Sequence, residues 1–143
     1  MKIFMDTSSL FKLYHKEKGT EELINLFKNN LIASVYLAEI SKIEFASVVW
    51  RLCRMQEITE QDANQLLNKF ELDYQRFSFI PENSLTIDLA RSLIRKYWKT
   101  GLRTLDSIQL AQALSTKSDI DLFISADKIL LQIAGYEGFE TKL

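Results

Sequence analysis

The fold class follows from residues 2–9, which read KIFMDTSS. The first four, Lys2 to Met5, are mostly apolar and of strand-forming types, without the strict apolar–polar alternation of a strand that has one solvated face. The run stops at Asp6, and the three residues after it are small hydroxyl types that cap helices and form turns. The segment predicts a strand buried on both faces that leads directly into a helix.

The same order of strand and helix repeats along the chain. Four further strands are predicted, at Ser34–Leu37, Phe77–Ile80, Asp121–Ile124 and Gly138–Thr141. Helical spacing of apolar residues predicts helices at 10–16, from 20, at 39–55, from 59, from 85 to near Gly101, at 105–114 and at 128–134. The pattern predicts an α/β fold: one domain, residues 1–143, with a five-stranded parallel sheet and helices on both faces.

The helices at 39–55 and from 59 are predicted to form an αα-hairpin that extends to Tyr74. A capping box is predicted where the second helix begins, with Thr59 as the cap and Asp62 three residues later. The hairpin carries enough apolar residues to pack on more than one surface.

Composition excludes several classes of site. Hydrophobic residues make up 47% of the 143 and charged residues 26%, which is ordinary for a folded domain. The one cysteine, Cys53, excludes a multi-thiolate zinc site, and the one histidine, His15, is expected to be a surface residue without a catalytic role. No apolar run approaches the roughly 18 residues of a membrane helix, so a soluble cytoplasmic protein is expected.

Two aspartates directly follow predicted buried strands. Asp6 ends the first strand, and Asp127 closes the segment LFISAD that begins at Leu122. In an open parallel sheet, binding sites form at the carboxyl ends of strands. Taken singly, each aspartate is better explained as the cap of the next helix.

Glu44 falls on an apolar helical arc. Ile40 and Val48 flank it by about 40° on either side, so the glutamate is predicted to point inward. An inward carboxylate costs several kcal/mol unless it is paired or binds a metal. The structural alternative is an ion pair with a base such as Arg51.

Asp106 is predicted to lie in the first turn of a helix, where an acid favours the helix dipole and could pair with Arg103. If it meets the other three acids at one end of the sheet, their charges repel strongly without a cation. A ligand set made of oxygen atoms suits a hard ion, Mg²⁺ or Mn²⁺.

Four segments in order resemble the PIN-domain family, and within it the VapC-like toxins of toxin–antitoxin pairs. They are MDTSSL with KLY (5–10 and 12–14), SKIEFA (41–46), LRTLDSIQLA (102–111) and FISAD (123–127). The resemblance spans the whole chain and implies that Asp6, Glu44, Asp106 and Asp127 line a metal site and carry catalysis, with Thr7, Ser8 and Ser125 as supporting polar groups. None of the four acidic positions departs from the family pattern.

The resemblance also implies an activity and partners. The expected activity is Mg²⁺-dependent hydrolysis of RNA phosphodiester bonds by an endoribonuclease, in a homodimer held inactive by a small antitoxin. The formal net charge is −1 and becomes +3 when the four acids are set aside, so the remaining surface can hold RNA. The candidate RNA contacts are Lys12, Lys42, Arg51 and Arg103.

Three other classes of protein compete with this interpretation. A receiver-like signalling module also binds Mg²⁺ through acids, but it has adjacent acids after the first strand and a lysine after the last. A haloacid-dehalogenase-type phosphatase has a second aspartate two residues after the first, where Ser8 stands. A structural adaptor domain, in which every acid is a cap, leaves an inward Glu44 unexplained.

Overall fold

The computed structural model describes all 143 residues and contains five parallel strands. The strands are β1 Lys2–Met5, β2 Ser34–Ala38, β3 Phe77–Ile80, β4 Leu122–Ile124 and β5 Thr141–Lys142. They lie in the order β3-β2-β1-β4-β5, and Phe4 at the centre is in register with Tyr36 on one side and Phe123 on the other. With helices on both faces, this sheet confirms the predicted α/β fold.

Seven α-helices connect the strands. Their bounds are α1 Thr7–Phe11, α2 Thr20–Asn29, α3 Ser41–Arg54, α4 Glu60–Leu72, α5 Ser84–Tyr97, α6 Thr104–Ser115 and α7 Lys128–Tyr136, with short 3₁₀ turns at Tyr74–Arg76 and Lys117–Asp119. None of these helices combines the length and the apolar character needed to cross a membrane.

Most predicted elements are present, with shifted ends. Helix α1 begins three residues earlier than predicted and ends at Phe11, because Asp6 acts as its cap. Strand β5 was predicted at 138–141 and lies at Thr141–Lys142, after a turn in which Gly138 has a φ of +87°. The capping box at Thr59 and Asp62 is confirmed, and α3 and α4 pack together as the predicted hairpin.

The two faces of the sheet carry separate hydrophobic clusters. Ile3 and Met5 belong to the cluster under α1, α3 and α4, whereas Phe4 belongs to the cluster under α5, α6 and α7. Successive residues of a strand point to opposite faces, so burial on both faces requires the unbroken apolar run that the sequence shows. Phe4 stacks on Phe123 with ring centroids 5.0 Å apart, which joins β1 to β4 within the second cluster.

The strand order locates the region where a site can form. From β1, the chain adds β2 and β3 on one side, and β4 and β5 on the other, so the order changes direction between β1 and β4. In open α/β sheets, ligands bind outside the carboxyl ends of the strands at such a switch point. The doubly wound order 2-1-3-4-5 of receiver-type folds differs from this one, which argues against the receiver alternative.

Candidate metal centre

Asp6 lies directly after β1 and is 3% exposed. Its carboxylate accepts hydrogen bonds from the backbone N–H of Ser9 at 2.9 Å and from the hydroxyls of Ser8, Ser9 and Ser125 at 2.6–2.9 Å. Burial raises the pKa of Asp6 above its ordinary value, although the hydrogen bonds from Ser125, Ser9 and Ser8 act in the opposite direction. Asp6 is therefore both the cap of the helix that follows it and an acid buried away from water.

Hydroxyl groups connect the ends of β1 and β4. Ser125 donates to Asp6 Oδ2 at 2.6 Å and accepts from the backbone N–H of Asp127 at 2.9 Å. Ser8 accepts from the backbone N–H of Ala126 at 3.0 Å. Ser8 and Ser125 thus contact the Asp6 carboxylate directly, and they hold the loop that carries Asp127 beside it.

Asp127 caps helix α7 with one carboxylate oxygen. Its Oδ1 accepts from the backbone N–H groups of Ile129 and Leu130 at 2.9 and 3.0 Å. Its Oδ2 lies 3.6 Å from Nη2 of Arg103. Capping uses only one oxygen, and the second oxygen pairs with Arg103 instead of with the helix.

The pKa of Asp106 depends on the charges of the other three acids. Its pKa is raised to about 6, first by burial and next by the charge of Asp127, with Asp6 and Glu44 adding to the rise. Arg103, whose Nε lies 3.7 Å from Asp106 Oδ2, lowers it but does not reverse the direction. The charges of Asp6, Glu44 and Asp127 therefore all act on Asp106 at the switch point of the sheet.

Glu44 is half-buried and bonded to neutral groups. Its Oε1 accepts from Gln109 Nε2 at 2.7 Å and from Thr7 Oγ1 at 3.1 Å. Burial raises the pKa of Glu44, the two hydrogen bonds lower it, and the charge of Asp6 raises it further. The predicted alternative, an ion pair with Arg51, is wrong, because no base is among the groups that shift this carboxyl and Arg51 is exposed.

The direction of Glu44 also differs in detail from the prediction. The fully buried stripe of α3 runs through Ser41, Phe45 and Val49, one position further along the helix than the predicted arc. Glu44 therefore lies at the border of the buried face, and it lines a pocket of about 350 Å³. Lining this pocket are Glu44, Arg103, Thr104, Leu105 and Asp106.

The donor set fits a hard divalent cation in its chemistry. The acidic groups at this edge offer oxygen ligands, and neither histidine nor cysteine is among them, which favours Mg²⁺ or Mn²⁺ over zinc. No three acidic, imidazole or thiol side chains lie close enough together in this conformation to hold one ion. Arg103 instead supplies the positive charge between Asp106 and Asp127. Binding of a cation by all of these acids requires that the exposed guanidinium move away.

The four basic residues predicted to contact RNA have different surroundings. Arg103 lies among the acids, as described, and Arg51 is exposed on α3. Lys42 is bonded to Glu39 at 2.8 Å and lies over the rings of Tyr74 and Phe79. Lys12 donates to the backbone oxygen of Lys18 and lines a pocket of about 310 Å³ together with Lys18 and Lys128.

Sequence reasoning missed two residues beside Glu44. Gln109 is 1% exposed and Ser41 is fully buried, and Nε2 of Gln109 donates to the Ser41 hydroxyl at 3.1 Å. Gln109 lies three residues after Asp106, on the same face of α6. A polar residue at this spacing from a candidate acid was the signal available in the sequence. His15, expected at the surface, is partly buried and stacks on Phe11.

We expect the charge of Asp106 to destabilise the metal-free protein at neutral pH. Because the pKa of Asp106 in the folded protein, about 6, lies above its ordinary value of 3.8, protonation of Asp106 favours the folded state. This stabilisation is complete below pH 4 and is lost as the pH rises through about 6. In EDTA at pH 7.5, Asp106→Asn should therefore raise the free energy of unfolding by about 2 kcal/mol.

Urea unfolding of the wild type and Asp106→Asn at pH 7.5 and pH 4 measures this difference. It should shrink strongly at the lower pH, where Asp106 is protonated in the folded protein and about half ionised in the unfolded chain. Asp88→Asn, an exposed position on α5, is the control and should show no such change. Equal stability of wild type and Asp106→Asn at both pH values would contradict the expected repulsion.

Comparison with known proteins identifies the family and the fold of the chain. The family model of the PIN domain matches residues 3–136. No curated protein matches the chain. FitAcB from Neisseria gonorrhoeae is similar in structure, with 17% sequence identity, a TM-score of 0.72, and coverage of 99% of this chain and 96% of that chain.

Two further solved structures have the same fold. VapC20 from Mycobacterium tuberculosis, described as a toxin that cleaves the sarcin-ricin loop, is 15% identical with a TM-score of 0.70, over 96% of this chain and 95% of that chain. VapBC2 from Rickettsia felis, bound to a promoter DNA fragment, is 12% identical with a TM-score of 0.68, over 99% and 98%. Because the family model covers nearly the whole chain, and the α/β fold is consistent with it, this chain belongs to the PIN domain family.

Proposed function

We propose that this chain is a metal-dependent endoribonuclease that hydrolyses RNA phosphodiester bonds and acts in the cytoplasm as the toxin of a toxin–antitoxin pair. The observation that carries the proposal is the meeting of four acids at the switch point, where burial and the other three acids raise the pKa of Asp106 to about 6. Such a cluster is costly to maintain unless a cation binds there.

Asp6 and Asp106 would be the main metal ligands, and Asp127 a further ligand, directly or through water. Glu44 would either bind the ion or orient the attacking water. A bound Mg²⁺ or Mn²⁺ would lower the pKa of that water and stabilise the charge that builds on the phosphate and the leaving oxygen. The chain's lone histidine is then not needed as a base.

The surrounding residues would keep the acids in place for this chemistry. Ser125 and the backbone N–H of Ser9 hold opposite oxygens of Asp6. The N-terminal amides of α7 hold one oxygen of Asp127 and leave the other facing the site. Fixing the ligands before the ion arrives reduces the ordering cost of binding.

Similar structures support the proposed partners. VapC20 is described as cleaving the sarcin-ricin loop, and VapBC2 was solved as a complex bound to promoter DNA. By analogy, the substrate here is RNA and the inhibitor is a small antitoxin protein. Exposed Arg51, Lys12 at its pocket and Arg103 beside the acids would contact the RNA backbone, whereas Lys42 would first have to leave Glu39.

We also expect a homodimer. Within the hairpin, four large apolar side chains are exposed: Ile43, Trp50, Met55 and Leu72. Exposed apolar surface of this kind commonly marks an interface. Light scattering at micromolar concentration should give twice the mass of the 143-residue chain, and a monomer at that concentration would contradict the expectation.

Incubation of the protein with structured RNA tests the proposed activity. Cleavage should occur with MgCl₂ or MnCl₂, should stop in EDTA and should return when the metal is restored. A DNA strand of the same sequence distinguishes an RNA-specific nuclease from a general one. Intact RNA after incubation with both metals would overturn the proposal.

A further inference from the structure

Gln109 lies at the centre of a buried group of polar side chains behind Glu44. Its Nε2 donates to Glu44 Oε1 at 2.7 Å, and it lies 3.1 Å from the hydroxyl oxygens of Thr7 and Ser41. Gln109, Thr7 and Ser41 are all 5% exposed or less. Buried side chains thus hold Glu44, which also lines a pocket together with Asp106.

The orientation of the Gln109 amide follows from its neighbours. A carboxylate accepts hydrogen bonds and cannot donate them, so the NH₂ end must face Glu44. An ionised acceptor makes the shorter and stronger bond, in agreement with the distances of 2.7 Å to Glu44 and 3.1 Å to the hydroxyls. The amide oxygen Oε1 of Gln109 is buried with no hydrogen-bond partner, which costs free energy. A contribution to stability therefore does not fully explain why a glutamine lies at this position.

Helical spacing connects Gln109 with the candidate metal ligands. Asp106 and Gln109 are three residues apart on α6 and lie on one face of that helix. Helix α6 therefore supplies one acid itself and holds a second, Glu44, which belongs to α3.

We propose that Gln109 is the positioning residue for Glu44: its amide fixes the carboxylate in the direction from which it serves the divalent cation site. This inference rests on the proposed function, because it assigns Glu44 to that site. Groups that orient metal ligands from behind typically change metal affinity or activity by about 10- to 100-fold when removed.

The test compares Gln109→Met with Gln112→Met. Gln112 lies on the same helix, is fully buried, and both its amide atoms lack partners, so its replacement matches the change in chemistry without touching Glu44. The first readout is the rise in melting temperature on titration with MgCl₂, without RNA, which reports metal binding through its linkage to folding.

We expect Gln109→Met to need about 10-fold or more MgCl₂ for half of this rise, whereas Gln112→Met follows the wild type. In a Glu44→Gln background, Gln109→Met should add nothing, because the residue acts through the Glu44 carboxylate. If Gln109→Met does not fold, the test uses Gln109→Asn instead. The asparagine side chain is one methylene shorter than glutamine, so its amide does not reach Glu44.

RNA cleavage is measured in parallel so that the two proposals fail separately. If the wild type cleaves RNA and Gln109→Met responds to MgCl₂ as the wild type does, the positioning role is overturned. An additional loss from Gln109→Met in the Glu44→Gln background would also overturn it. A wild type that binds Mg²⁺ through Gln109-positioned Glu44 but cleaves no RNA would support the positioning role and overturn the nuclease function.

Discussion

Asp6→Asn should lower the rate of RNA cleavage by at least about 100-fold, the size expected when a main ligand of a catalytic ion loses its charge. The asparagine keeps an oxygen that can accept from the Ser9 N–H, so the cap of α1 should survive. Removing a buried negative charge also relieves repulsion with Asp106 and Glu44. The variant should therefore fold as well as the wild type while losing activity.

Initial cleavage rates at saturating MgCl₂, with circular dichroism as a check on folding, measure this effect. Asp106→Asn should behave in the same way. Asp62→Asn is the matched control, because it makes the same substitution in the first turn of α4, at an exposed capping residue away from the cluster. Near-normal cleavage by both Asp6→Asn and Asp106→Asn would refute the metal-site model.

Glu44→Gln should show whether Glu44 belongs to the metal site or has only a structural role. Glutamine keeps an oxygen that can accept from Gln109 and Thr7, and no base is left unpaired by the change. Burial and Asp6 raise the pKa of Glu44, so its charged form disfavours folding at neutral pH. The variant should be at least as stable as the wild type in EDTA, should gain less stability from Mg²⁺, and should cleave RNA at least about 100-fold more slowly.

Thermal melts in EDTA and in millimolar MgCl₂ test the stability of this variant, with Glu57→Gln as an exposed control on the protein surface. Loss of a buried ion-pair partner would instead destabilise the metal-free protein by about 3–5 kcal/mol. A Glu44→Gln variant that is much less stable in EDTA, with an undiminished response to Mg²⁺, would show that the glutamate is structural.

The positions of Asp6 and Asp127 could be predicted because parallel strands align their carboxyl ends. The apolar runs before Asp6 and Asp127 predict two buried strands, and each acid comes at or just beyond the end of its run. Once those strands are neighbours, as β1 and β4 are, the two acids lie at the same edge. The resemblance to the PIN-domain family implied Ser8 and Ser125 as supporting groups, and both hydroxyls donate to Asp6.

Other features depend on contacts between segments far apart in the chain. The ion-pair alternative for Glu44 placed its partner, Arg51, on the same helix. The observed partners, Thr7 and Gln109, come instead from α1 and α6. The shift of β5 has a similar origin, since a two-residue edge strand is defined by its pairing with β4 more than by its composition.

The sequence by itself determined the α/β class, the order of the elements and the edge at which Asp6 and Asp127 lie, because apolar periodicity and capping residues act over short distances. Only the tertiary structure decided that Arg103 lies between Asp106 and Asp127, and that Gln109 holds Glu44 from behind. The pKa of Asp106 also depends on the folded chain. Charge interactions and hydrogen bonds depend on distances through space and on burial, and both are established only when the helices pack onto the sheet.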